Sequence, residues 1–160
     1  MTASHASFTI TRHYKASPET VFDHWSDPDL KRQWFAENDG PDWTMLDYGL
    51  DFRIGGREHG RWTIASGDGA GGPQTIVNET RYFDIARPSR IVMAYSMAGA
   101  GGVTTVSLVT IELAGRDGGT DLRMTEQIAQ LDGAEAADDR AGGWTWILNG
   151  LERALERTTA

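Results

Sequence analysis

The 160-residue chain predicts an α+β domain in which helices cover one face of a curved antiparallel sheet. Three observations carry that expectation. Two proline-containing helix starts stand close together near the N-terminus. Period-two alternation of apolar and polar residues then dominates about ninety residues from Trp43 onward. Beyond Gly143 the spacing of apolar residues changes to that of a helix.

The elements follow in order. Phe8-Thr9-Ile10-Thr11-Arg12-His13-Tyr14 alternates as a half-buried strand does. Ser17-Pro18-Glu19-Thr20 reads as a helix start, because Ser caps free N–H groups and Pro needs no donor in the first turn. Asp27-Pro28-Asp29 repeats the device and opens a second short helix, with Leu30 and Trp34 four residues apart on one side. Leu46, Tyr48, Leu50, Phe52 and Ile54 form the dry face of the next strand, which Gly55-Gly56 ends. Gly60, Trp62 and Ile64 share a face in the strand after it. The glycine-rich stretch from Ser66 to Pro73 reads as a hairpin tip, with neither the helix start nor the Lys-Ser/Thr pair that a phosphate loop needs.

Gln74–Ile85, Arg90–Met97, Val103–Leu113 and Thr120–Leu131 supply four more strands, and their short connections require antiparallel neighbours. Asp132 to Arg140 reads as an acidic loop. Gly142-Gly143 then leads into Trp144, Ile147, Leu148, Leu151, Ala154 and Leu155, one stripe of a helix of about four turns. No linker or repeat divides the chain, so residues 1–160 are expected to form one domain with its core at about 8–157.

Composition removes several kinds of function. With no Cys, thiolate nucleophiles, thiolate metal sites and disulfide frameworks are excluded. A net charge of −8 repels phosphate backbones, so nucleic acid is not an expected partner. No apolar run reaches the ~18 residues of a membrane span, and the polar N-terminus carries no targeting pattern. A cytoplasmic location is the expectation. His5, His13, His24 and His59 have no metal-ligand spacing, and no Gly-x-Ser-x-Gly elbow surrounds Ser96 or Ser107.

Five stretches, in this order, resemble one family. They are Ser17-Pro18-Glu19-x-Val21-Phe22-x-x-Trp25-x-Asp27-Pro28 with the Trp34-Phe35 that follows, then Asp51-x-Arg53-x-Gly55-Gly56, Pro88-x-x-Ile91, and Gly143-Trp144-x-x-x-Leu148-x-x-Leu151. Together they look like the activator-of-heat-shock-protein-90-ATPase homologue family, within the START and birch-pollen-allergen-like helix-grip superfamily (SRPBCC). The resemblance implies a sheet of about six to seven strands wrapped around the long C-terminal helix, with a cavity between them for an apolar or amphipathic small molecule. It implies no cofactor. The eukaryotic namesake acts on a chaperone ATPase and has a further N-terminal domain. A chain of this length has no room for that domain, so chaperone activity does not carry over on the resemblance alone. A chaperone-associated interaction module stands as an alternative function, and a cyclase- or hydrolase-like enzyme as another.

Alternation selects the residues that would line such a cavity. Val109, Ile111 and Leu113 share one phase, as do Leu122, Met124, Glu126 and Ile128, and Met93, Tyr95 and Met97. The expected apolar walls are Trp34, Tyr95, Met124 and Trp144. Glu126 stands among apolar residues and must be paired, hydrated or protonated there. Arg81, in phase with Phe83 and Ile85, is its candidate partner, and the two would orient a ligand's polar end; the opposite phase of this strand, with Ile76 and Tyr82 inward, stands equally open. Glu126 is also the candidate catalytic acid or base. Trp146, about 200° around the helix from Trp144, is expected at the helix edge, where it would rim the cavity, pack on a loop or join a homodimer contact.

Overall fold

A computed structural model describes residues 2–38, 40, 42–65, 72–133 and 136–159. Strand β1 (Ala3–Tyr14) leads to helix α1 (Pro18–Ser26) and the short α2 (Pro28–Lys31), which runs into a π-helical turn at Arg32–Ala36. Strands β2 (Trp43–Leu50), β3 (Arg57–Ile64), β4 (Gln74–Ala86), β5 (Arg90–Gly99), β6 (Gly102–Arg116) and β7 (Gly119–Leu131) follow, and helix α3 (Ala137–Thr159) closes the chain. All pairings are antiparallel in one sheet of order β1-β7-β6-β5-β4-β3-β2. Because β1 joins β7 while β2 forms the opposite edge, α1, α2 and the π turn carry the chain across the sheet.

The helix starts behave as the sequence predicts. Ser17 Oγ accepts from the Thr20 amide at 3.2 Å, and Asp27 Oδ1 accepts from the amides of Asp29 and Leu30 at 2.9 and 3.1 Å. Each cap satisfies donors that the first turn leaves free, so both helices begin at their prolines. Alternation also holds through β6 and β7, where Val109, Ile111, Leu113, Leu122 and Met124 are buried in one core with the apolar stripe of α3, and Ile128 is buried in phase with them.

Three expectations need correction. The strand expected to reach Ile54 stops at Leu50, and both Leu46 and Ile54 are exposed. A β-bulge between Met45 and Asp47 makes Leu46 an extra residue, so Met45 and Tyr48 face inward although they are three apart. The expected loop 132–140 is shorter: α3 begins at Ala137, so Arg140 is helical and the helix runs for 23 residues, about 35 Å. Gly142 and Gly143 do not interrupt it. The third correction, at Arg81, belongs to the site. The glycine-rich tip falls mostly at 66–71, outside the described residues, as do residues 134 and 135.

The core between sheet and helices is aromatic. Trp25 meets Trp34 edge to face at 4.8 Å between centroids and stacks on Trp144 at 6.4 Å, and Phe22 packs against Phe52. Tyr14 Oη donates to the Leu148 carbonyl at 3.2 Å, and Arg12 reaches the Thr145 carbonyl and Asn149 Oδ1, fastening α3 to the first strand. Among the described residues no helix is long and apolar enough to cross a membrane.

Candidate functional site

Packing is close at the β1–β7 side of α3 and opens toward β2–β5. There a cavity of about 810 Å³ lies between the sheet, the π turn and the first half of α3. Its wall is mostly aromatic and sulfur-containing: Phe35, Trp43, Met45, Trp62, Met93, Met97, Trp144 and Trp146, with Ile64, Ile76 and Ile147. The π turn widens the helix just where Phe35 and Ala36 meet this space. Trp62 is fixed by donating its indole N–H to the Ala36 carbonyl at 2.9 Å, and Phe35 packs edge-on against it.

Three polar clusters border the apolar space. The first joins α2 to the sheet. Lys31, fully buried, places Nζ 2.7 Å from Glu58 Oε2 and 2.9 Å from Oε1, while Tyr48 Oη donates to Oε2 at 2.5 Å and Tyr82 Oη to Oε1 at 3.2 Å. The ammonium also lies 4.9 Å from the Phe35 ring centroid and 5.2 Å from that of Trp25. Burial lowers the Lys31 pKa, opposed by the charge and hydrogen bonds of Glu58. Burial, then the Glu58 charge, pushes the Tyr48 and Tyr82 hydroxyls above the ordinary phenol range. Glu58 lines the cavity, yet its oxygens already accept from three side chains.

The second cluster ties α3 to the sheet. Tyr95 Oη donates to Glu126 Oε1 at 2.5 Å and accepts from Arg140 Nη1 at 2.7 Å and Trp144 Nε1 at 3.3 Å. Arg140 pairs with Glu126 at 3.3 Å and donates through Nη2 to Thr105 Oγ1 at 2.8 Å. Burial and the nearby Glu126 charge raise the Tyr95 pKa, against the opposing charge of Arg140. The third cluster is on β4, where Thr80 Oγ1 donates to Asn78 Oδ1 at 3.1 Å and Asn78 Nδ2 meets Met97 Sδ at 3.5 Å.

Of the residues proposed from sequence, Tyr95 and Trp144 line the cavity, with Trp146 at its edge and 39% exposed. Trp34 and Met124 do not. Trp34 is packed behind Phe35 with its indole N–H on the His24 carbonyl at 2.8 Å, and Met124 is in the packed core. Glu126 is fully buried, held by Tyr95 and Arg140 rather than facing the open space.

Arg81 is corrected outright: it is exposed on the outer face of β4. The reason is a bulge between Tyr82 and Asp84. Ile85 pairs with the buried Ile91, and alternation counted back from Ile85 sends Arg81 inward. The extra residue at Phe83 reverses the phase, so Asn78, Thr80 and Tyr82 face in. The actual partner of Glu126 is Arg140, one turn before Trp144 on the buried stripe of α3.

Sequence reasoning also missed Lys31, Glu58, Asn78 and Thr80. Two carried a readable signal: Glu58 is in phase with Gly60, Trp62 and Ile64, and Lys31 precedes Trp34 and Phe35 by three and four residues. Of the histidines, His24 is buried with Nδ1 2.9 Å from the Thr20 carbonyl and Nε2 3.1 Å from Thr158 Oγ1, which accounts for it as a core group. Among the described residues no three His, Asp or Glu side chains stand together to hold a metal ion.

The family model described as "Activator of Hsp90 ATPase homolog 1-like protein" matches residues 15–156. A comparison with curated proteins yields no match. Among solved structures, an uncharacterised protein of Rhizobium leguminosarum is 40% identical, with 98% of this chain and 97% of that one covered and a TM-score of 0.85. A Rhizobium loti protein is 33% identical over 96% of this chain and 99% of its own, with a TM-score of 0.82. An AHSA1-like protein of Aeromonas hydrophila, 22% identical over 96% and 94% with a TM-score of 0.66, shares the fold.

Proposed function

The chain belongs to the Activator of Hsp90 ATPase homolog 1-like family, and from that premise we propose that it binds an apolar or amphipathic small molecule between the sheet and α3. The observation that carries this reading is the cavity of about 810 Å³ walled by indoles and methionines. Protein interiors pack to the density of organic crystals, so an aromatic-lined space of this size is costly as mere core and suits a ligand. Its polar groups sit in networks around the wall, where they would orient one end of a bound molecule.

The alternative readings have less support. Catalysis by Glu126 would need its carboxylate to meet the ligand, and the residue is fully buried behind Tyr95 and Arg140 and does not line the cavity. A chaperone-associated module working through its surface would use an apolar patch, for which exposed Val103, Val106 and Leu108 on β6 are candidates. It gives no account of the hollow interior.

Mass spectrometry of the purified protein under native and denaturing conditions tests the proposal. The expected result is an added mass of a small molecule in the native spectrum that is absent after denaturation. If neither a co-purifying species nor an apolar probe added in excess occupies the protein, the ligand-binding reading falls.

A further inference from the structure

Asn78 is a buried amide whose NH₂ is held by a weak acceptor in a way that points to a ligand. It is 4% exposed, it lines the cavity, and the acceptor its Nδ2 meets is a thioether, Met97 Sδ, at 3.5 Å. A thioether sulfur carries no proton and is a weak acceptor, so the amide end facing it must be the NH₂. Thr80 Oγ1 holds the other end by donating to Oδ1 at 3.1 Å. Met97 Sδ is the only acceptor of Nδ2 among the described residues, and a buried amide donor held by so weak an acceptor gains from a stronger one.

Charge narrows the class of molecule. The buried ions around the cavity are matched in pairs, Lys31 with Glu58 and Arg140 with Glu126. The exposed carboxylates at the edge are Glu37, which pairs with Arg32, and Asp139, and the chain as a whole carries −8. Inside the cavity a net charge on the ligand would find these buried ions already paired, and an anion would also be repelled by the edge carboxylates.

We infer that Asn78 Nδ2 is the polar anchor of the cavity and that its ligand is an uncharged molecule with an apolar body and one acceptor oxygen, a ketone, ester or amide carbonyl. Thr80 is a positioning residue: it keeps the NH₂ turned to the cavity. The carbonyl replaces sulfur as acceptor for Nδ2 while Trp62, Trp144 and Met93 enclose the apolar body. This assignment rests on the ligand-binding reading above and adds to it the chemistry of recognition.

The probe is prodan, a neutral naphthyl ketone whose emission moves to the red when its carbonyl accepts a hydrogen bond. The control is the corresponding dimethylaminonaphthalene without the ketone. Wild-type protein is expected to bind both. Asn78→Leu, of similar size, is expected to weaken prodan about fivefold, the worth of one neutral hydrogen bond, to shift its bound emission to the blue, and to leave the control unchanged. Thr80→Val keeps the amide but frees it to turn; a loss of about twofold confined to prodan carries the test should Asn78→Leu fail to fold.

Equal prodan affinity and emission in wild type and variants would overturn the anchor while leaving ligand binding intact. Failure of both probes to bind wild-type protein would overturn the ligand-binding reading and the anchor with it.

Discussion

Replacing Lys31 by Met leaves the Glu58 carboxylate buried without its ammonium partner. Removing one member of a buried ion pair costs about 3–5 kcal/mol, because the survivor remains desolvated. Here the survivor keeps two phenol donors, Tyr48 Oη at 2.5 Å and Tyr82 Oη at 3.2 Å. The loss should therefore fall at the lower end, about 3 kcal/mol. Glu58→Gln strands the ammonium instead, with the amide oxygen and Tyr82 Oη as its remaining acceptors, and a similar loss is expected. In Lys31→Met/Glu58→Gln both charges are gone and a neutral amide remains beside two hydroxyls, so the cost drops to about 2 kcal/mol. The two sites are then coupled by about 4 kcal/mol in a double-mutant cycle.

Urea unfolding followed by tryptophan fluorescence reads this directly. With a slope of about 2 kcal/mol per molar urea, each single variant lowers the midpoint by about 1.5 M and the double variant by about 1 M. Additive losses in the double variant, or single losses below about 1 kcal/mol, would show that the pair behaves like a surface salt bridge. The reasoning from burial would then be wrong.

All four tyrosines, Tyr14, Tyr48, Tyr82 and Tyr95, have pKa values raised above the ordinary value near 10, chiefly by burial. Their neutral form is favoured in the folded state, so this stabilisation is complete below pH 10 and is lost as pH rises above it. An ultraviolet titration should show no phenolate near pH 10 and cooperative ionisation with unfolding at higher pH; a separate non-cooperative phase near pH 10 would contradict it. At Gly119, where β7 begins, an added Cβ would overlap the carbonyl oxygen of Tyr14 on the paired strand. Gly119→Ala should destabilise by about 1–3 kcal/mol, measured by urea midpoint, and an unchanged midpoint would mean that the β1–β7 end can spread without cost.

How far the site could be read from sequence depended on whether the relevant signal was local. Ser17 and Asp27 are followed at once by the amides they cap, so both helix starts were readable. Leu122, Met124, Glu126 and Ile128 lie on an unbulged stretch of β7, and their common face followed from alternation. Arg81 failed because one extra residue at Phe83 reversed the phase, and a bulge leaves no unambiguous mark in a stretch such as Thr-Arg-Tyr-Phe-Asp-Ile. Arg140 failed for a different reason. Two glycines suggest a helix boundary, but the stripe Arg140, Trp144, Leu148, Leu151 buries enough surface for the helix to continue through them.

The sequence by itself determined the order of elements, the antiparallel meander and the amphipathic closing helix, because capping and side-chain periodicity act between residues a few positions apart. It also determined that Glu126 would need a partner, since a carboxylate among apolar neighbours has few alternatives. Only the tertiary structure decided that the partner is Arg140, that Lys31 and Glu58 form a second buried pair, and that the cavity opens beside Asn78 and Thr80. Those outcomes depend on strand bulges and on where α3 crosses the sheet, which are set by packing between residues far apart in the chain.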